Sequence, residues 1–497
     1  MERKGNKLLS LNRLKLNDSM KIRYIQAIFL FILLCAPLHA QSLDEAKGWY
    51  LEGRYAEALP VFQREFQEKP DNAPLNQWVG VCLYETGKIL EAKGYLEFAS
   101  SKKIPEGYLY LGKLLVKLYR FEEAEKEFEK YQKVHRRNNE ALERLEQERE
   151  YADKLQRAVN RTEDVQLIDS VVVPKREFLS AYNLSRAAGS LMPLGQFLKG
   201  PTKAEETLYM NERQNKVFFA RSDDVWGNET GSTNLFTMEK LLDEFGNEKA
   251  LPQTINTTGR QAYPFVMSDG LTIYFASTDH QSFGGYDLYV TRYNLATDSY
   301  LVPNQLNMPF NSPFNDYMMA IDEQKGIGWF ASDRFQPEGQ VCVYTFIPNE
   351  RVTLIEGEEE AYMARRAAIT SIRDSWRENV DYSALRASAQ EKAATEQGAT
   401  GEFVFVINDR VTYHSLSDFK DSQARSIYSQ AQGLTNQLRE LNQELAGLRE
   451  RYAAGGSDSG SSRSEILRLE RESSTLYKEI ERLEIQARNQ EIRNIFN

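Results

Sequence analysis

A short phrase occurs three times in the middle of the chain, and it restricts the fold more than any other feature. The copies are Phe219-Ala220-Arg221-Ser222, Phe275-Ala276-Ser277-Thr278 and Phe330-Ala331-Ser332-Asp333, at spacings of 56 and 55 residues. A second apolar run follows each copy, and these runs are Asn234-Leu235-Phe236, Asp287-Leu288-Tyr289 and Cys342-Val343-Tyr344. This period is too long for one turn of a solenoid, and it matches one four-stranded blade of a β-propeller. The repeat therefore predicts an all-β propeller, with partly degenerate blades, over residues 165–350.

The middle copy is the most complete of the three. Ser268-Asp269-Gly270 lies between two alternating apolar runs, and Gly270 can supply the positive φ of a tight hairpin turn. Gly284-Gly285 marks a second turn before Asp287. The other two copies replace the tight turn with residues 211–215 and 322–326. We therefore assign structural roles to Asp269, Gly270 and Asp287.

Three blades do not close a ring. Strands before Thr207 and after Arg351 must contribute if the ring closes, and closure would remove its exposed edges. The mostly apolar run 401–409 has the length of a strand and is a candidate for one of them. We expect four to six blades, and the repeat alone leaves the number open.

Residues 42–160 carry a second repeat, whose period is typical of paired helices. Gly53 and Gly87 are 34 residues apart, as are Ala58 and Ala92, and a third copy follows 32 residues later. Small residues let paired helices approach closely, while aromatic side chains fill the remaining space. The small repeat positions are Gly53, Ala58, Gly80, Ala92, Gly112 and Ala124. The pattern predicts an α-helical solenoid of tetratricopeptide repeats, capped by a polar helix near residues 138–158.

Two uses of such a helical stack remain open. Its first helices can line a concave groove that holds a peptide or a helix of another protein. Alternatively the stack serves as a spacer, because three repeats make only a short groove.

The amino end has the pattern of an export signal. Basic residues precede the apolar run 25–34, and small residues then lead to Ala40. We therefore predict that residues 1–40 form a signal peptide that is cleaved after Ala40. Met20 begins a normal signal on its own, so it is an alternative start of the protein.

The cysteines give limited information. Cys35 is placed where a lipid-anchor cysteine can stand, but the bulky Leu34 before it favours an ordinary residue of the signal. After cleavage only Cys82 and Cys342 remain, in different predicted domains. We expect both to be small core residues rather than a disulfide.

Composition excludes some classes of function. The 497-residue chain has 41% hydrophobic and 27% charged residues, with a formal net charge of −10. Nucleic-acid binding requires clustered basic residues, so this balance argues against it. After the signal, no run reaches the roughly 18 apolar residues of a membrane helix.

The carboxy-terminal part, residues 418–497, has a heptad pattern. Apolar residues recur at alternating intervals of three and four from Ala424 to Tyr452, and again from Ile466 to Ala487. The polar loop 455–462 joins the two runs. We predict an antiparallel coiled-coil hairpin of two helices of about 26 residues. It either closes on itself or also pairs with a second copy or another protein. Before it, residues 351–417 are predicted to be helix and linker with the strand 401–409.

No catalytic constellation is recognisable in the sequence. The mature chain has three histidines in three separate segments, namely His135, His280 and His414. Metalloprotease, nucleophile-elbow, phosphate-loop and dithiol motifs are absent. We therefore expect no cofactor and no enzymatic activity.

Two sets of side chains in the blade loops have alternative interpretations. The carboxylates Asp223, Asp224, Asp279 and Asp287 can bind calcium or can be solvated turn residues, and we favour the second. The aromatic residues can line a partner-binding face or can pack between neighbouring blades. They are Trp226, Phe283, Tyr286 and Phe335.

The middle blade resembles the TolB-type, WD-like propeller repeat: a proline, a Ser-x-Asp-Gly-like turn, an apolar strand and Asp-Leu-Tyr. Here these elements are Pro264, Ser268-Asp269-Gly270 and Asp287-Leu288-Tyr289. The resemblance implies that the Asp287 carboxylate bonds backbone within its own blade. The order signal, tetratricopeptide repeats and propeller is similar to a family of Gram-negative envelope proteins, over roughly residues 42–350. That resemblance implies a periplasmic protein, either free or associated with the outer membrane. Several members add an OmpA-type peptidoglycan-binding domain, which the coiled coil replaces here.

These observations lead to one main hypothesis and two alternatives. The main hypothesis is a non-enzymatic envelope scaffold that binds unidentified protein partners through its repeat groove, propeller face and coiled coil. The first alternative is a propeller-based hydrolase or carbohydrate-binding protein. The second, implied by the resemblance, is an accessory subunit of an outer-membrane secretion assembly.

Overall fold

A computed structural model describes most of the chain after the predicted signal. The described residues are 42–199, 202–222, 232–241, 244–357, 359–391, 405–408, 411–413, 415–453 and 459–496. The predicted signal peptide and Cys35 lie outside them. The chain divides into two compact units. The first comprises Met1–Leu114 and Glu122–Leu145, and the second Leu115–Phe121 and Glu146–Asn497.

The amino-terminal part is a series of helices arranged as predicted, in pairs joined by short turns. Their bounds are α1 Leu43–Leu51, α2 Tyr55–Glu68, α3 Ala73–Glu85, α4 Ile89–Ser101, α5 Pro105–Lys117, α6 Phe121–Val134 and α7 Asn139–Val159. Side-chain caps begin three of them, because Ser42 accepts from the Glu45 N–H, Asn72 from the Leu75 N–H and Asn138 from the Ala141 N–H. Gly53 ends the first turn with φ +76°, a conformation that glycine adopts without a side-chain clash.

The small residues of the repeat are at the places where helices cross. A Cβ atom on Gly80 would lie 2.7 Å from Leu96, and one on Gly112 would lie 2.3 Å from Phe128. Ala58, Ala92 and Ala124 are all buried. The sequence pattern therefore reflects close helix packing within this helical repeat region, as expected.

The middle of the chain forms three antiparallel sheets. The first has the order β2-β3-β4-β5-β6, the second β10-β9-β8-β7 with β11 also on β9, and the third β1-β14-β13-β12. The strands of the first sheet are β2 Ser190–Pro193, β3 Thr207–Met210, β4 Lys216–Ser222, β5 Thr233–Leu241 and β6 Glu244–Ala250. Those of the second are β7 Gln261–Val266, β8 Thr272–Ser277, β9 Asp287–Asn294, β10 Ser299–Tyr300 and β11 Asn304–Gln305. Those of the third are β1 Gln166–Pro174, β12 Asp316–Asp322, β13 Ile327–Ser332 and β14 Gln340–Ile347.

The repeated phenylalanine has the same environment in all three sheets. Each is fully buried and stacks on the aromatic residue directly opposite it on the next strand. The pairs are Phe219–Phe236 at 5.6 Å, Phe275–Tyr289 at 5.9 Å and Phe330–Tyr344 at 5.2 Å between ring centroids. The internal repeat is thus a repeat of one sheet motif, as the spacing predicts.

The turn predicted at Ser268-Asp269-Gly270 has the geometry of a hairpin turn. Asp269 accepts from the backbone N–H groups of Leu271 and Thr272, both at 2.8 Å, and Gly270 has φ +68°. Asp287 accepts from the Phe283 N–H at 2.9 Å, within its own sheet as expected.

The number of sheets and the role of residues 401–409 differ from the prediction. The described residues contain three sheets of four or five strands, where we expected four to six blades. The early strand β1 completes the third sheet by pairing with β14 from Gln166 to Pro174. From the run 401–409, β15 Phe405–Asn408 pairs only with β16 Val411–Tyr413, in a separate two-stranded sheet. It therefore completes none of the large sheets.

Much of the predicted linker 351–417 is packed structure. It contains α9 Glu360–Ala368, a 3-10 helix at Ile372–Ser375 and α10 Ser383–Gln390. The remaining short helix, α8 Leu194–Leu198, lies earlier in the chain, between β2 and β3. Ile369, Tyr382 and Ala389 join the main hydrophobic core of the sheets. Trp376 donates its indole N–H to the Leu167 carbonyl at 2.8 Å, which ties this segment to β1.

An aromatic cluster fills the space where the sheets meet. Phe178 lies 5.8 Å from Tyr263 and 6.2 Å from Tyr317, and those two tyrosines are 5.4 Å apart, measured between ring centroids. All three rings are buried. Strand β7 packs against the first sheet and β12 against the second, so each sheet covers a face of its neighbour.

The carboxy-terminal helices form the predicted antiparallel hairpin but are longer than expected. They are α11 Ser422–Ala453, of 32 residues, and α12 Ser459–Phe496, of 38 residues. Ala431 packs near Ile480, and a buried polar bond of 2.9 Å joins Ser473 to Asn442. The hairpin therefore closes on itself. Among the described helices, none is both long enough and apolar enough to span a membrane.

Candidate functional site

The first helix of each pair contributes to one mixed aromatic and polar face. We call this the repeat face and define it by Tyr50, Gln77, Tyr84, Tyr110 and Lys113. Gln77 donates to the Tyr50 hydroxyl at 2.6 Å, which links α1 to α3. The rings of Tyr84 and Tyr110 meet edge to face at 5.5 Å, which links α3 to α5.

The Lys113 charge on the repeat face is held by two aromatic rings and by the Glu85 carboxylate, 4.0 Å from the Lys113 ammonium. The Lys113 ammonium lies 4.9 Å from the Tyr110 ring centroid and 5.4 Å from that of Tyr84. Burial, with the nearby Glu106 carboxylate, raises the pKa of Tyr50 above its ordinary value. Burial also raises the pKa of Cys82 to about 12, which suits a core thiol rather than a nucleophile. Gln77, Tyr84 and Tyr110 are buried, so what the face exposes is the half-buried Tyr50 and Lys113.

The sequence-predicted aromatic residues are mostly packed inside the second unit. Phe283 is buried below the Lys154 ammonium, at 5.1 Å from its ring centroid. Tyr286 is buried against Tyr263, with ring centroids 5.7 Å apart. Phe335 is half-buried and contacts the edge of Phe314 at 5.0 Å. These positions favour packing between sheets, the second of the two interpretations. Trp226 lies outside the described residues.

Asp279 and Asp287, the two blade-loop carboxylates that the structure describes, make separate contacts. Asp279 accepts from the His280 N–H at 2.8 Å and from the Thr258 hydroxyl at 3.1 Å, so its oxygens serve the loop itself. Asp223 and Asp224 fall outside the described residues. Within the described ranges, no group of three or more His, Cys, Asp or Glu side chains has the arrangement of a metal site. His135 and His280 belong to different units, and His414 is not among the described residues.

Asp287 belongs to a buried polar cluster between the second and third sheets. Its Oδ2 accepts from Gln305 at 2.5 Å, whereas its buried Oδ1 has no partner among the described residues. Burial and the neighbouring Asp316 carboxylate raise the pKa of Asp287 well above its ordinary value. Arg334 bonds Asp316 at 2.6 Å, and both side chains are fully buried. Burial still raises the pKa of Asp316 against the opposing charge of Arg334. We therefore interpret this cluster as a structural contact between the second and third sheets.

The base of the hairpin binds the turns of the first two sheets through ion pairs. Lys216 bonds Glu481 at 2.7 Å, and Arg213 bonds Glu484. From the same helix, Arg488 donates to the Ser268 carbonyl at 2.9 Å. Burial opposes the charge on Arg213, but Glu484 outweighs this and raises the pKa of that arginine. We call this contact the hairpin base.

A cavity of about 300 Å³ remains inside the hairpin base. Its lining includes Arg213, Lys216, Tyr477, Glu481 and Arg488. The ring of Phe405 lies between two of these groups, at 5.5 Å from each guanidinium carbon of Arg213 and Arg488. Acidic and basic groups are paired around the cavity, so the arrangement holds the hairpin rather than activating a substrate.

Sequence reasoning did not find the hairpin base. Glu481, Glu484 and Arg488 are spaced by three and four residues, which places them on one face of α12. That face lies beside the apolar residues that pack α12 against α11. Its charge pattern was therefore a signal that α12 contacts another part of the chain. Its counterpart was the Glu212-Arg213 pair in the atypical turn of the first blade.

Comparisons with known proteins give little further information. No family model matches the chain, and no curated protein matches it. A solved structure of the first TPR domain of Spaghetti (RPAP3), bound to the HSP90 peptide SRMEEVD, matches with 20% identity. The match covers 22% of this chain and 86% of that one, with a TM-score of 0.20. A TM-score this low does not establish a shared function.

Proposed function

We propose that the chain is a non-enzymatic scaffold that binds a segment of another protein on its repeat face. The observation that carries the proposal is the continuity of this face across three helices. Tyr50 and Gln77 join α1 to α3, and the ring contact of Tyr84 with Tyr110 joins α3 to α5. Aromatic and cationic groups held in fixed positions are the kind of surface that protein interfaces use most.

The remaining features fit a scaffold of the cell envelope. We propose that the three sheets are blades of a TolB-like, WD-like propeller, because each repeats a buried phenylalanine stacked on an aromatic ring of the next strand. We also propose export to the periplasm, which the amino-terminal sequence pattern supports. If the proposal is right, the chain isolated from cells begins at Gln41. A chain that begins at Met1 or Met20 contradicts export.

Partner binding is tested by charge reversal on the repeat face. Lys113→Glu replaces the cation between the rings of Tyr84 and Tyr110, whereas Lys93→Glu makes the same change on α4. Lys93 carries only an exposed pair with Glu97, at 3.8 Å, and lies outside the face. We expect one set of proteins to co-purify with the unmodified chain and with Lys93→Glu, and to be lost with Lys113→Glu.

The proposal fails if the two variants recover the same proteins as the unmodified chain. It also fails if no specific protein is recovered from envelope extract under conditions in which all three chains retain their helical circular dichroism. In that case the spacer interpretation of the helical stack takes precedence.

A further inference from the structure

The outer edges of the three sheets differ in how well they are protected. Unpaired edge strands attract further strands, and proteins guard them with charges or keep them short. The outer strand of the first sheet, β6, carries Glu244, Glu248 and Lys249. The outer strands of the second sheet, β10 and β11, have two residues each. The outer strand of the third sheet is β1, and its second half has neither protection.

The carboxy-terminal half of β1 is uncharged, apolar and open. Val171 is 48% exposed and Val172 is 52% exposed, although successive residues of a strand point to opposite faces. The first half of β1 is covered, because Trp376 bonds the Leu167 carbonyl and Arg386 bonds Asp169 at 3.4 Å. In the described part of the chain, no strand pairs with the outer side of β1.

The direction of the free backbone groups follows from the ladder. Lys175, just after the strand, donates its N–H to the Gly339 carbonyl at 2.9 Å, so it faces β14. The register is regular from Asp169 to Pro174, and backbone groups alternate along an antiparallel strand. Ser170, Val172 and Pro174 therefore turn their carbonyls outward, and Val172 also turns its N–H outward. The Ser170 N–H is taken by the Asp169 side chain at 3.0 Å.

We propose that residues 170–174 of β1 accept an extended segment of another protein as an additional antiparallel strand. The edge offers three outward carbonyls and one outward N–H, so the incoming strand has to supply several N–H groups. It should therefore lack proline at its centre, and its uncharged side chains should cover Val171 and Val172. Main-chain bonds give the affinity in such strand addition, and the side chains that flank it give the selectivity.

A second copy of this chain fits the edge less well. Two-fold pairing centred on Val172 would place Ser170 opposite Pro174 of the other copy, and proline has no N–H to donate. Five residues also bury much less than the roughly 800 Å² per partner that a stable interface requires. The edge is thus better suited to a strand of another protein. That protein would make the rest of its interface elsewhere on the molecule.

The probe is a short peptide of alternating threonine and valine residues with a lysine at each end. It is added at saturating concentration to the full chain, and hydrogen exchange is followed by mass spectrometry. We expect exchange of the β1 amides around Val172 to slow at least about fivefold, with no change in β6. Binding is measured in parallel by the fluorescence anisotropy of labelled peptide.

Two variants make the test specific to this edge. Val172→Pro removes the outward N–H and leaves the bonds to β14 intact, which an edge strand tolerates. Val172→Lys adds a charge without affecting the backbone. Both should weaken peptide binding at least about tenfold, whereas Val352→Lys, at a residue that is 66% exposed elsewhere, should not.

Three results would overturn the proposal. The first is a Val172 amide already protected in the free chain, because another part of the chain then covers the edge. The second is a peptide that binds equally well to the Val172 variants or does not bind. The third is protection of β1 that rises with protein concentration and coincides with dimer formation, since the occupant is then a second copy.

Discussion

Two glycines in the helical repeat region should respond in opposite ways to the same substitution. A Cβ atom on Gly112 would lie 2.3 Å and 2.5 Å from ring carbons of Phe128, which is buried and cannot move aside. Overpacking of this kind costs about 1–3 kcal/mol. Gly94, in the middle of α4, has nothing within 4 Å of the same atom. Gly94→Ala should therefore stabilise by about 0.5–1 kcal/mol through helix propensity alone.

Hydrogen exchange measures both effects in the intact chain. A chain with two compact units need not unfold in one transition, so a single melting temperature is not a suitable readout. Since about 1.4 kcal/mol is tenfold in an equilibrium, Gly112→Ala should accelerate exchange in α5 and α6 by about fivefold to a hundredfold. Gly94→Ala should slow exchange in α4 by a few-fold. Equal effects of the same sign at both positions would refute the packing argument.

Three further predictions concern the second unit. Phe330→Ala should lower the free energy of opening the third sheet by about 3–5 kcal/mol, measured by hydrogen exchange of the β13 and β14 amides, whereas Phe335→Ala, at a half-buried ring, should cost much less. Burial and a neighbouring carboxylate raise the pKa of Asp287, so its contribution to stability falls as pH rises above the unfolded value of about 3.9. Asp287→Asn should therefore flatten the loss of stability that sets in above about pH 3.9, and an unchanged pH profile would contradict this. Arg488→Met should loosen the hairpin base and speed proteolysis of α12 several-fold, whereas Arg482→Met, at an exposed pair, should leave the cleavage rate unchanged.

Local patterns predicted the repeated elements well. Small residues at a fixed period predicted the helix crossings. At positions 80 and 112 only glycine fits, because a Cβ atom there would clash with a side chain of the facing helix. The recurring phenylalanine predicted equivalent sheets, since one buried ring requires the same cross-strand partner in each copy. The heptad pattern likewise predicted the hairpin from α11 to α12, although both helices continue beyond the apolar run.

Contacts between distant segments were much less predictable. Strand β1 joins the third sheet across more than 160 residues, and its two consecutive apolar runs do not specify that partner. Residues 360–391 have the composition of a charged linker, yet Tyr382 and Ala389 are core residues of the sheets. A few apolar side chains are enough to bury a mostly polar segment, so composition alone did not distinguish it from a linker.

The candidate sites show the same division. The aromatic residues chosen in the blade loops turned out to be packed, because large rings in a small β-domain are the first to be buried. The hairpin base depends on Arg213 meeting Glu484 over a separation of 271 residues, and each half has the ordinary charge pattern of a surface. The repeat face was predicted as a groove, but its residues are identified only by contacts such as that of Tyr50 with Gln77.

Photo-crosslinking in intact cells tests the central claim most directly. A photo-reactive amino acid replaces Leu51 on α1, an exposed residue next to Tyr50 of the repeat face, or Glu97 on α4 as the control. We predict discrete adducts with one or a few proteins from position 51, abolished by Lys113→Glu, and none from position 97. Identical adducts from both positions, or none from position 51, would contradict this.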